Sequence, residues 1–371
     1  MTERRLSAVV LAAGEGARMR STRPKPLHLL CGRAMVLYVL DALPTPELDR
    51  AVVVVGHGAE RVTKKLTEDS AGLRLEFVEQ HQQKGTGDAV AVGLTGLPED
   101  DLDDEDRDLL VLPGDTPLLR PETVAALVAE HRHSGAACTI LTADVADPTG
   151  YGRIVRVGND DRIQRIVEQA DAAPDELEIT EINTGIFCFR RNLLAPALRL
   201  VHPDNAQGEY YLTDVVEVLA DAGHKVVSLV ADDPAETAGV NDRAQLASAE
   251  AALRARTNRE WLARGVSMVD PAATYIDTTV ELAADVTIFP GTILQGRTTI
   301  GEGVEIGPGC RLVDCSVGEH TTLDHVVGRH SEIGADCQVG PYAVLEAGSH
   351  IPAGTRTGPF YTAVTAAGLD D

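Results

Sequence analysis

The feature that most constrains the fold is an aliphatic residue that recurs every six positions in the last third of the chain. The repeat runs from Leu282 to Leu312, slips by one residue at Val317, slips again at Val327 and continues to Ile351. A hexapeptide repeat of this kind indicates a parallel β-helix, in which each hexad forms one short strand and one corner. With three hexads in each turn of the helix, the repeat predicts about four coils.

The sequence before this repeat has a different pattern, in which short apolar runs alternate with amphipathic segments such as 36–43 and 122–132. The apolar runs lie at 7–13, 51–56, 75–80, 109–114 and 138–145. Strands that are apolar on both faces and separated by helices indicate a mostly parallel sheet covered on both sides. Ligands of such a sheet bind outside the carboxyl ends of its strands.

The two patterns divide the chain into three predicted parts. Residues 1–241 form an α/β domain with a Rossmann-like, mostly parallel sheet. Residues 242–264 are rich in Ala and Arg and lack Gly and Pro, which predicts one connecting helix. Residues 265–371 form the short β-helix.

The charge of the chain excludes several classes of partner. The net charge is −24, from 33 Lys and Arg against 57 Asp and Glu. Such a surface repels nucleic acid and anionic lipid, so we expect neither as a partner. No apolar run approaches the roughly 18 residues of a membrane span, and the N-terminal run leads into a glycine-rich turn rather than a cleavage site. We therefore expect a cytoplasmic protein without a membrane segment. The six cysteines lack CxxC spacing, which predicts reduced thiols.

The most specific local motif is LAAGEGARMRSTRPKP at 11–26, directly after the first predicted strand. Gly14 and Gly16 bring bare backbone N–H groups that can approach phosphate oxygens closely. Arg18 and Lys25 add positive charge to an otherwise acidic chain. A dinucleotide fingerprint would need a third glycine and a Walker loop would need GK[ST], and neither is present. The motif therefore predicts a phosphate-binding loop, because a structural turn would explain the glycines but not the cations.

The pattern LAAGxGxRM…PKxL resembles the opening of the sugar nucleotidyltransferases. The chain is most similar to the bacterial bifunctional N-acetylglucosamine-1-phosphate uridylyltransferase/glucosamine-1-phosphate acetyltransferase family. The likeness continues in order through EQHQQKGTGDA, LPGDTPLL, DPTGYGRI, IVEQADA, EINTGIF, NAQGEYYLTD, GVNDRAQL and LARGVSMVDPAATYID into the repeat. It implies a nucleotidyltransferase (pyrophosphorylase) domain over 1–241, a left-handed β-helix over 265–371 and a homotrimer formed through that β-helix.

The resemblance also implies where the nucleotide binds, and places Arg18 and Lys25 on its phosphates as catalytic cations. Arginine suits pyrophosphate because its planar fork contacts two oxygens at once, and lysine acts as a mobile point charge. The implied nucleotide-binding residues are Leu11, Ala12, Ala13, Gly14, Gln80, Gly85 and Thr86. A glutamine amide both donates and accepts, as the uracil edge requires. On the residues alone, QKGTG fits a plain strand-to-helix turn equally well.

Asp115 follows a predicted strand and matches the family's Mg²⁺ ligand, with Asn241 as its partner. Two protein oxygens together with phosphate oxygens and water make an ordinary Mg²⁺ site, although Asp after a strand also fits a turn. The implied sugar-binding residues are Gly152, Glu168, Asn183 and Glu209. Glu and Asn supply the acceptors and donors that sugar hydroxyl and amide groups need, although NAQGEYYLTD also fits a helix start.

The implied reaction is in-line attack by the oxygen of N-acetylglucosamine 1-phosphate on the α-phosphorus of UTP, which gives UDP-N-acetylglucosamine and pyrophosphate. We expect no acetyltransferase activity, because the sequence stops soon after 341–354 and because Glu346 stands where the family has the arginine of LRPG. Two alternatives remain open. One is a nucleotidyltransferase for another sugar 1-phosphate, such as glucose or glucosamine 1-phosphate or a secondary-metabolism sugar, and the other is a non-catalytic scaffold that binds nucleotide sugars.

Overall fold

The computed structural model describes the chain over residues 5–45, 47–70, 72–98, 107–158 and 162–363. The described chain divides into two compact units at the junction between Leu246 and Ala247. The short segment Leu29–Arg33 belongs with the second unit although it lies early in the sequence. Nothing in the sequence pattern indicated that this early segment belongs with the second unit.

The elements before the junction alternate between strands and helices, as the apolar runs predict. The strands are β1 (Arg5–Ala12), β2 (Leu29–Leu30), β3 (Arg33–Ala34), β4 (Leu48–Val55), β5 (Leu75–Glu79), β6 (Arg107–Pro113), β7 (Cys138–Asp144), β8 (Arg153–Arg156), β9 (Ile163–Val167), β10 (Glu181–Arg190) and β11 (Val226–Val230). The helices are α1 (Met35–Asp41), α2 (Ala59–Asp69), α3 (Thr86–Leu94), α4 (Pro121–Ser134), α5 (Arg191–Leu198) and α6 (Asp214–Asp221).

The central sheet of the first unit has the strand order β11-β7-β10-β6-β1-β4-β5 within the described residues, with β8 paired to β10 and β9 paired to β8. The neighbours β6, β1, β4 and β5 are parallel, whereas β10 runs antiparallel between β6 and β7. The residues of β4 show why the sheet is covered on both faces: Ala51 and Val53 belong to one buried cluster, and Val52 and Val54 belong to the other. Continuous apolar strands of this kind are typical of buried parallel sheets.

One long helix, α7 (Arg243–Ala263), spans the junction where the sequence predicts the connecting helix, and short strands follow it in the second unit. The strands are β12 (Ser267–Met268), β13 (Tyr275–Ile276), β14 (Glu281–Leu282), β15 (Thr287–Ile288), β16 (Ile293–Gln295), β17 (Thr299–Ile300), β18 (Glu305–Ile306), β19 (Arg311–Val313), β20 (Ser316–Val317), β21 (Thr322–Leu323), β22 (Val327–Arg329), β23 (Glu332–Ile333), β24 (Gln338–Val339), β25 (Val344–Leu345), β26 (His350–Ile351) and β27 (Thr362–Ala363).

These strands take turns among three parallel sheets, which makes the unit a parallel β-helix. The sheets hold five, six and five strands within the described chain. Because each coil contributes one strand to each sheet, these numbers correspond to more than the roughly four coils predicted from the repeat. The additional strands are β12 and β13, which precede Leu282, and β27, which follows Ile351. The aliphatic residue of a hexad points inward at all but one position of the predicted repeat, and Ile288, Leu294 and Ile306 are fully buried.

One position of the predicted repeat is wrong. Val327 is 40% exposed and points outward, and Gly328 takes the inward place of that hexad. Gly328 pairs with Leu312 on one side and Leu345 on the other. A Cβ on Gly328 would lie 3.2 Å from the Leu312 side chain and 3.3 Å from the sulfur of Cys315. The larger neighbours fill the interior at this coil, which is why an aliphatic residue is missing from the repeat there.

Within the part of the chain that the structure describes, no helix combines the length and the apolar composition that a bilayer crossing needs.

A column of glycines lets successive coils of the β-helix approach each other. A Cβ on Gly301 would lie 2.7 Å from the backbone nitrogen of Glu319, and a Cβ on Gly318 would lie 2.5 Å from that of Ala335. Backbone atoms of the next coil cannot move away as a flexible side chain can. We therefore expect any added methyl group in this column to separate two coils.

Gly318→Ala should lower the free energy of unfolding by about 1–3 kcal/mol, the usual cost of overpacking a tight site. The matched control is Gly358→Ala, where no atom lies within 4 Å of the added Cβ. Thermal and denaturant unfolding of both variants measure the difference. Equal stability of the two variants would show that the coils are not in the close contact described.

Candidate active site

The candidate site lies where four parallel strands end together. The register pairs Leu11 of β1 with Pro113 of β6, and Ala12 with Val55 of β4, which in turn pairs with Glu79 of β5. The residues that follow these strands therefore meet at one edge of the sheet. A cleft of about 600 Å³ opens there, within the range of small-molecule sites. Its lining residues are Leu11, Ala12, Ala13, Gly14, Glu15, Lys25, Pro26, Gln80, Gln83, Gly85, Thr86, Ala89, Pro113, Gly114, Asp115 and Glu209.

The phosphate-loop motif forms one wall of this cleft. Gly14 leaves open space, because no atom lies within 4 Å of the place where its Cβ would be. Gly16 has a φ of 65°, and a Cβ there would lie 2.8 Å from the Cβ of Lys25. A glycine is therefore needed for the loop to fold over Lys25. Lys25 directly follows Pro24 and is the first residue of a 3-10 turn, Lys25–Leu27.

Three predicted residues from distant parts of the sequence meet at the Lys25 ammonium group. Its Nζ donates to the carboxylate of Asp115 and to Oδ1 of Asn241, the second bond being 2.8 Å long. The side chains of Lys25 and Asp115 are 13% and 23% exposed, so the pair is shielded from water but open to the cleft. Next to Asn241, the Val240 N–H donates to the backbone carbonyl of Asp115 at 2.8 Å. The two candidate metal ligands are therefore fixed by backbone as well as by side chains.

The donor set of Asp115 and Asn241 fits a hard divalent cation. Both oxygens already approach one cationic nitrogen, so one small cation at the rim could contact both. Carboxylate and amide oxygens are ligands that Mg²⁺ accepts, and nucleotide sites complete the sphere with phosphate oxygens and water. Among the described residues, no group of three or more His, Cys, Asp and Glu could hold a metal ion.

The predicted uracil-binding residues are held in place by neighbours that sequence analysis did not single out. The side chain of Gln80 is 4% exposed, and its Nε2 donates to Asp88 at 2.8 Å. This bond leaves Oε1 of Gln80 as the acceptor. Thr86 accepts a hydrogen bond from the Leu212 N–H at 3.0 Å, and Gly85 lies against the backbone of Tyr210. Asp88 could have been anticipated, since an acidic residue in the first turn of a helix is favourable.

Three of the four predicted sugar-binding residues come together. The Asn183 N–H donates to the carbonyl of Gly152 at 2.9 Å. A Cβ on Gly152 would lie 3.3 Å from Oε2 of Glu168, whose other oxygen accepts a bond from the Thr213 hydroxyl at 3.1 Å. None of these residues lines the 600 Å³ cleft, whereas Glu209 does. Thr213 was missed by sequence analysis, although it lies within the motif NAQGEYYLTD.

Arg18 is the predicted residue that stands apart. It lies on an exposed 3-10 turn, Ala17–Met19, and is not among the residues that line the cleft. The turn is anchored by Arg243, whose Nε donates to the carbonyl of Met19 at 3.1 Å. The structure therefore brings Lys25, Asp115 and Asn241 into contact and leaves Arg18 on the surface beside the phosphate loop.

Carboxylates concentrate around the sugar-side cluster, and the pKa of two of them, Glu168 and Asp214, is raised mainly by burial. Burial, countered by the bond from Thr213, raises the pKa of Glu168. Burial first, and then the charges of Glu217, Glu168 and Asp171, raises the pKa of Asp214 to about 6. Glu168, Asp171, Asp214 and Glu217 line a cavity of about 340 Å³. The charge of Asp214 is therefore unfavourable in the folded protein.

Asp214→Asn should make the chain more stable at about pH 8 and leave it nearly unchanged at about pH 4. The folded pKa lies above that of an unfolded Asp, about 3.9, so the folded state binds the proton more tightly and stability falls as pH rises through this window. A gain of about 2–4 °C in Tm near pH 8 is expected. Calorimetry over the pH range measures it, with the exposed Asp175→Asn as control. The same gain at both pH values would contradict the assignment.

With this geometry established, the chain can be compared with known proteins. The family model described as "Nucleotidyl transferase" matches residues 7–261. The "Bifunctional protein GlmU" of Streptomyces avermitilis is 46% identical over 354 residues, which are 95% of this chain and 72% of the relative. The protein of the same name from Heliobacterium modesticaldum is 44% identical over 95% of this chain and 75% of the relative.

A solved structure extends the comparison to the fold. The crystal structure of UDP-glucose pyrophosphorylase complexed with UDP-glucose superposes with a TM-score of 0.54 at 15% identity. The superposition covers 68% of this chain and 99% of the chain in the solved structure. At this identity the match establishes a shared fold only.

Proposed function

The chain belongs to the nucleotidyl transferase family, among the GlmU proteins, and on that premise we propose that it transfers the uridylyl group of UTP to N-acetylglucosamine 1-phosphate. The products are UDP-N-acetylglucosamine and pyrophosphate. The observation that carries the proposal is the contact of the Lys25 ammonium group with Asp115 and Asn241 at the rim of the cleft. Two oxygen ligands and one cation, placed at the carboxyl ends of parallel strands, suit a triphosphate.

The roles of the residues follow from the charges of the two substrates. Two phosphate anions must approach each other within a chain whose net charge is −24. Lys25 places its positive charge on the α-phosphate, and the exposed Arg18 meets the leaving pyrophosphate from the loop beside it. Asp115 and Asn241 hold Mg²⁺, which when bound supplies further positive charge to the phosphate oxygens. In this arrangement the protein positions and neutralises two anions and needs no covalent nucleophile.

The other predicted site residues position the two ends of the product. The backbone from Leu11 to Gly14 surrounds the nucleotide, and Gln80 presents its free Oε1 to the N3–H of uracil while Gly85 and Thr86 complete that end. On the sugar side, Glu168 is held by Thr213 and lies beside Gly152, where a side chain would crowd the Glu168 carboxylate. Glu168 accepts from sugar hydroxyl groups and Asn183 donates to them. Glu209, which lines the cleft, contacts the sugar end from its own loop.

The assay that tests this function measures pyrophosphate release from UTP with a panel of sugar 1-phosphates. Pyrophosphate should form with N-acetylglucosamine 1-phosphate and Mg²⁺, and chelation of the metal should abolish it. Asp115→Ala should lower kcat by at least about hundredfold, as expected for loss of a transition-state contact. Asp69→Ala removes an aspartate that pairs with Lys65 on α2 and should act as wild type.

Two results would overturn this assignment in different ways. A clear preference for glucose 1-phosphate would replace the proposed substrate but keep the reaction. Tight binding of UDP-N-acetylglucosamine without any pyrophosphate release would replace the enzyme with a nucleotide-sugar scaffold.

We also propose that the chain lacks acetyltransferase activity toward glucosamine 1-phosphate. The support is Glu346, which is exposed in the β-helix and carries a negative charge where the family's LRPG motif has arginine. A carboxylate at that place repels a sugar phosphate. The same preparation, supplied with acetyl-CoA and glucosamine 1-phosphate, should release no free CoA.

The β-helix serves assembly in this proposal, with the chain forming a homotrimer. Its three outer faces differ in character. One face has the outward column Tyr275, Ile293, Arg311, Val327, Val344 and Thr362, which is apolar except at Arg311 and Thr362. Its Tyr275, Val327 and Val344 are 42%, 40% and 44% exposed. The outward residues of the other two faces are polar: Ser267, Thr287, Glu305, Thr322 and Gln338 on one, and Glu281, Thr299, Ser316, Glu332 and His350 on the other. An apolar column on a β-helix is suited to packing against further copies of itself.

Val344→Glu should convert the trimer to monomers, because each copy would bury a charge in the apolar contact. Gln338→Glu adds the same charge on a polar face and should leave the trimer intact. Gel filtration with light scattering gives the mass of both variants. A wild-type chain that is monomeric at all concentrations would remove this part of the proposal.

A further inference from the structure

One segment, 233–243, contacts four separate parts of the candidate site, and we call it the strap. Its Val240 N–H donates to the carbonyl of Asp115, and the Asn241 side chain accepts from Lys25. Its Arg243 holds the carbonyl of Met19 in the phosphate loop. The fourth contact is made by Glu236 to residues at the start of helix α4. The strap therefore connects the metal pair, the catalytic lysine and the phosphate loop in eleven consecutive residues.

Glu236 is the buried anchor of the strap. It is only 2% exposed, and its Oε2 accepts from the Arg120 N–H at 3.1 Å and from the Thr123 hydroxyl at 2.9 Å. The Arg120 guanidinium lies 4.0 Å from the same oxygen and also donates to Asp233 at 2.7 Å. A carboxylate at the first turn of a helix is favoured by the helix dipole and by the free N–H groups there. The strap is thereby fixed to the start of α4.

The start of α4 matters because the same loop carries Asp115. Asp115 lies only five positions before Arg120, the N-cap of α4, and Thr116, Leu118 and Leu119 between them are buried. Glu236 stands at the same distance of five residues from Asn241. One buried carboxylate therefore joins the loop of one metal ligand to the strap of the other.

We infer that Glu236 is a positioning residue that sets the separation of Asp115 and Asn241, and so the affinity of the site for its divalent cation. The inference rests on the proposed function, since it names a residue that supports the same metal pair. Glu236 does not touch the pair. It acts through Arg120 on one side and through the strap on the other, in the way that outer partners of metal ligands act in general.

A purely structural reading of Glu236 predicts a different outcome. If the carboxylate only caps α4, its removal lowers stability and leaves metal binding unchanged in the folded fraction. If it positions the metal pair, the affinity for the cation changes in molecules that are fully folded. Direct measurement of metal binding separates the two readings without reference to turnover.

The probe is Mn²⁺, titrated onto the full chain with a non-hydrolysable α,β-methylene analogue of UTP and followed by the electron paramagnetic resonance signal of free Mn²⁺. Glu236→Ala should bind Mn²⁺ about tenfold or more weakly than wild type. Glu236→Gln keeps an oxygen for both donors and should recover most of the affinity. The matched control is Asp270→Ala, which removes the carboxylate that caps the 3-10 turn Pro271–Ala273 in the second unit, and it should bind as wild type.

Thr123→Val keeps the test decisive if Glu236→Ala does not fold. It deletes one donor to Glu236 and should weaken Mn²⁺ binding by a few-fold, with the far-ultraviolet spectrum unchanged. Equal affinity of wild type, Thr123→Val and any folded Glu236→Ala overturns the positioning role while leaving the proposed function intact. A wild-type chain that binds no Mn²⁺ with the analogue overturns the proposed function itself, and the inference with it.

Discussion

The contact on which the site depends is the pairing of one ammonium group with a carboxylate and an amide at the edge of a parallel sheet. Asp115 lies 90 residues after Lys25 in the sequence, and Asn241 lies 216 residues after it. Ion pairs at such a separation persist only where a rigid scaffold fixes both sides. Here the scaffold is the alignment of β1 and β6, whose ends carry the phosphate loop and Asp115. The sheet therefore sets the positions on which any phosphate chemistry relies.

Parallel register organises both units of the chain, with different consequences. In the first unit it gathers the carboxyl ends of β6, β1, β4 and β5 at one edge and so creates a cleft. In the second unit it stacks equivalent residues of successive coils, which creates columns rather than a cleft. A column of glycines permits close approach of the coils, and a column that includes Tyr275, Val327 and Val344 makes one outer face mostly apolar, with Arg311 as its one charge. We propose that the edge of the sheet serves catalysis and that the outer, mostly apolar column of the β-helix serves assembly.

Much of this architecture follows from local pattern in the sequence. The six-residue spacing predicts the β-helix because an inward residue must recur at each strand, and continuous apolar runs predict a buried sheet. The pattern fails at Val327, because packing inside the coil, with Leu312, Cys315 and Leu345 already present, requires Gly328 there. The spacing of aliphatic residues along the sequence carries no information about packing between strands that are far apart in the chain. The same limit explains why Leu29–Arg33 could not be placed with the second unit.

The candidate site was predictable to a similar depth. The phosphate-loop motif pointed to Lys25, whose positive charge is unusual in an acidic chain, and the family resemblance added Asp115 and Asn241. Glu236, which joins the loop of Asp115 to the strap of Asn241, carries no local signature, because a buried carboxylate is recognised only by the donors that the fold brings to it. The position of Arg18 on an exposed turn was equally invisible in the sequence.

The central claim is that Asp115 and Asn241 share one divalent cation beside Lys25 when nucleotide is bound. Anomalous diffraction from crystals of the chain grown with Mn²⁺ and the α,β-methylene analogue of UTP tests it most directly. The account predicts one strong Mn²⁺ peak in contact with oxygens of Asp115, Asn241 and the analogue, with the Lys25 ammonium on a phosphate oxygen. A nucleotide bound in the cleft with the metal held by other residues, or with Lys25 turned away from the phosphates, would contradict it.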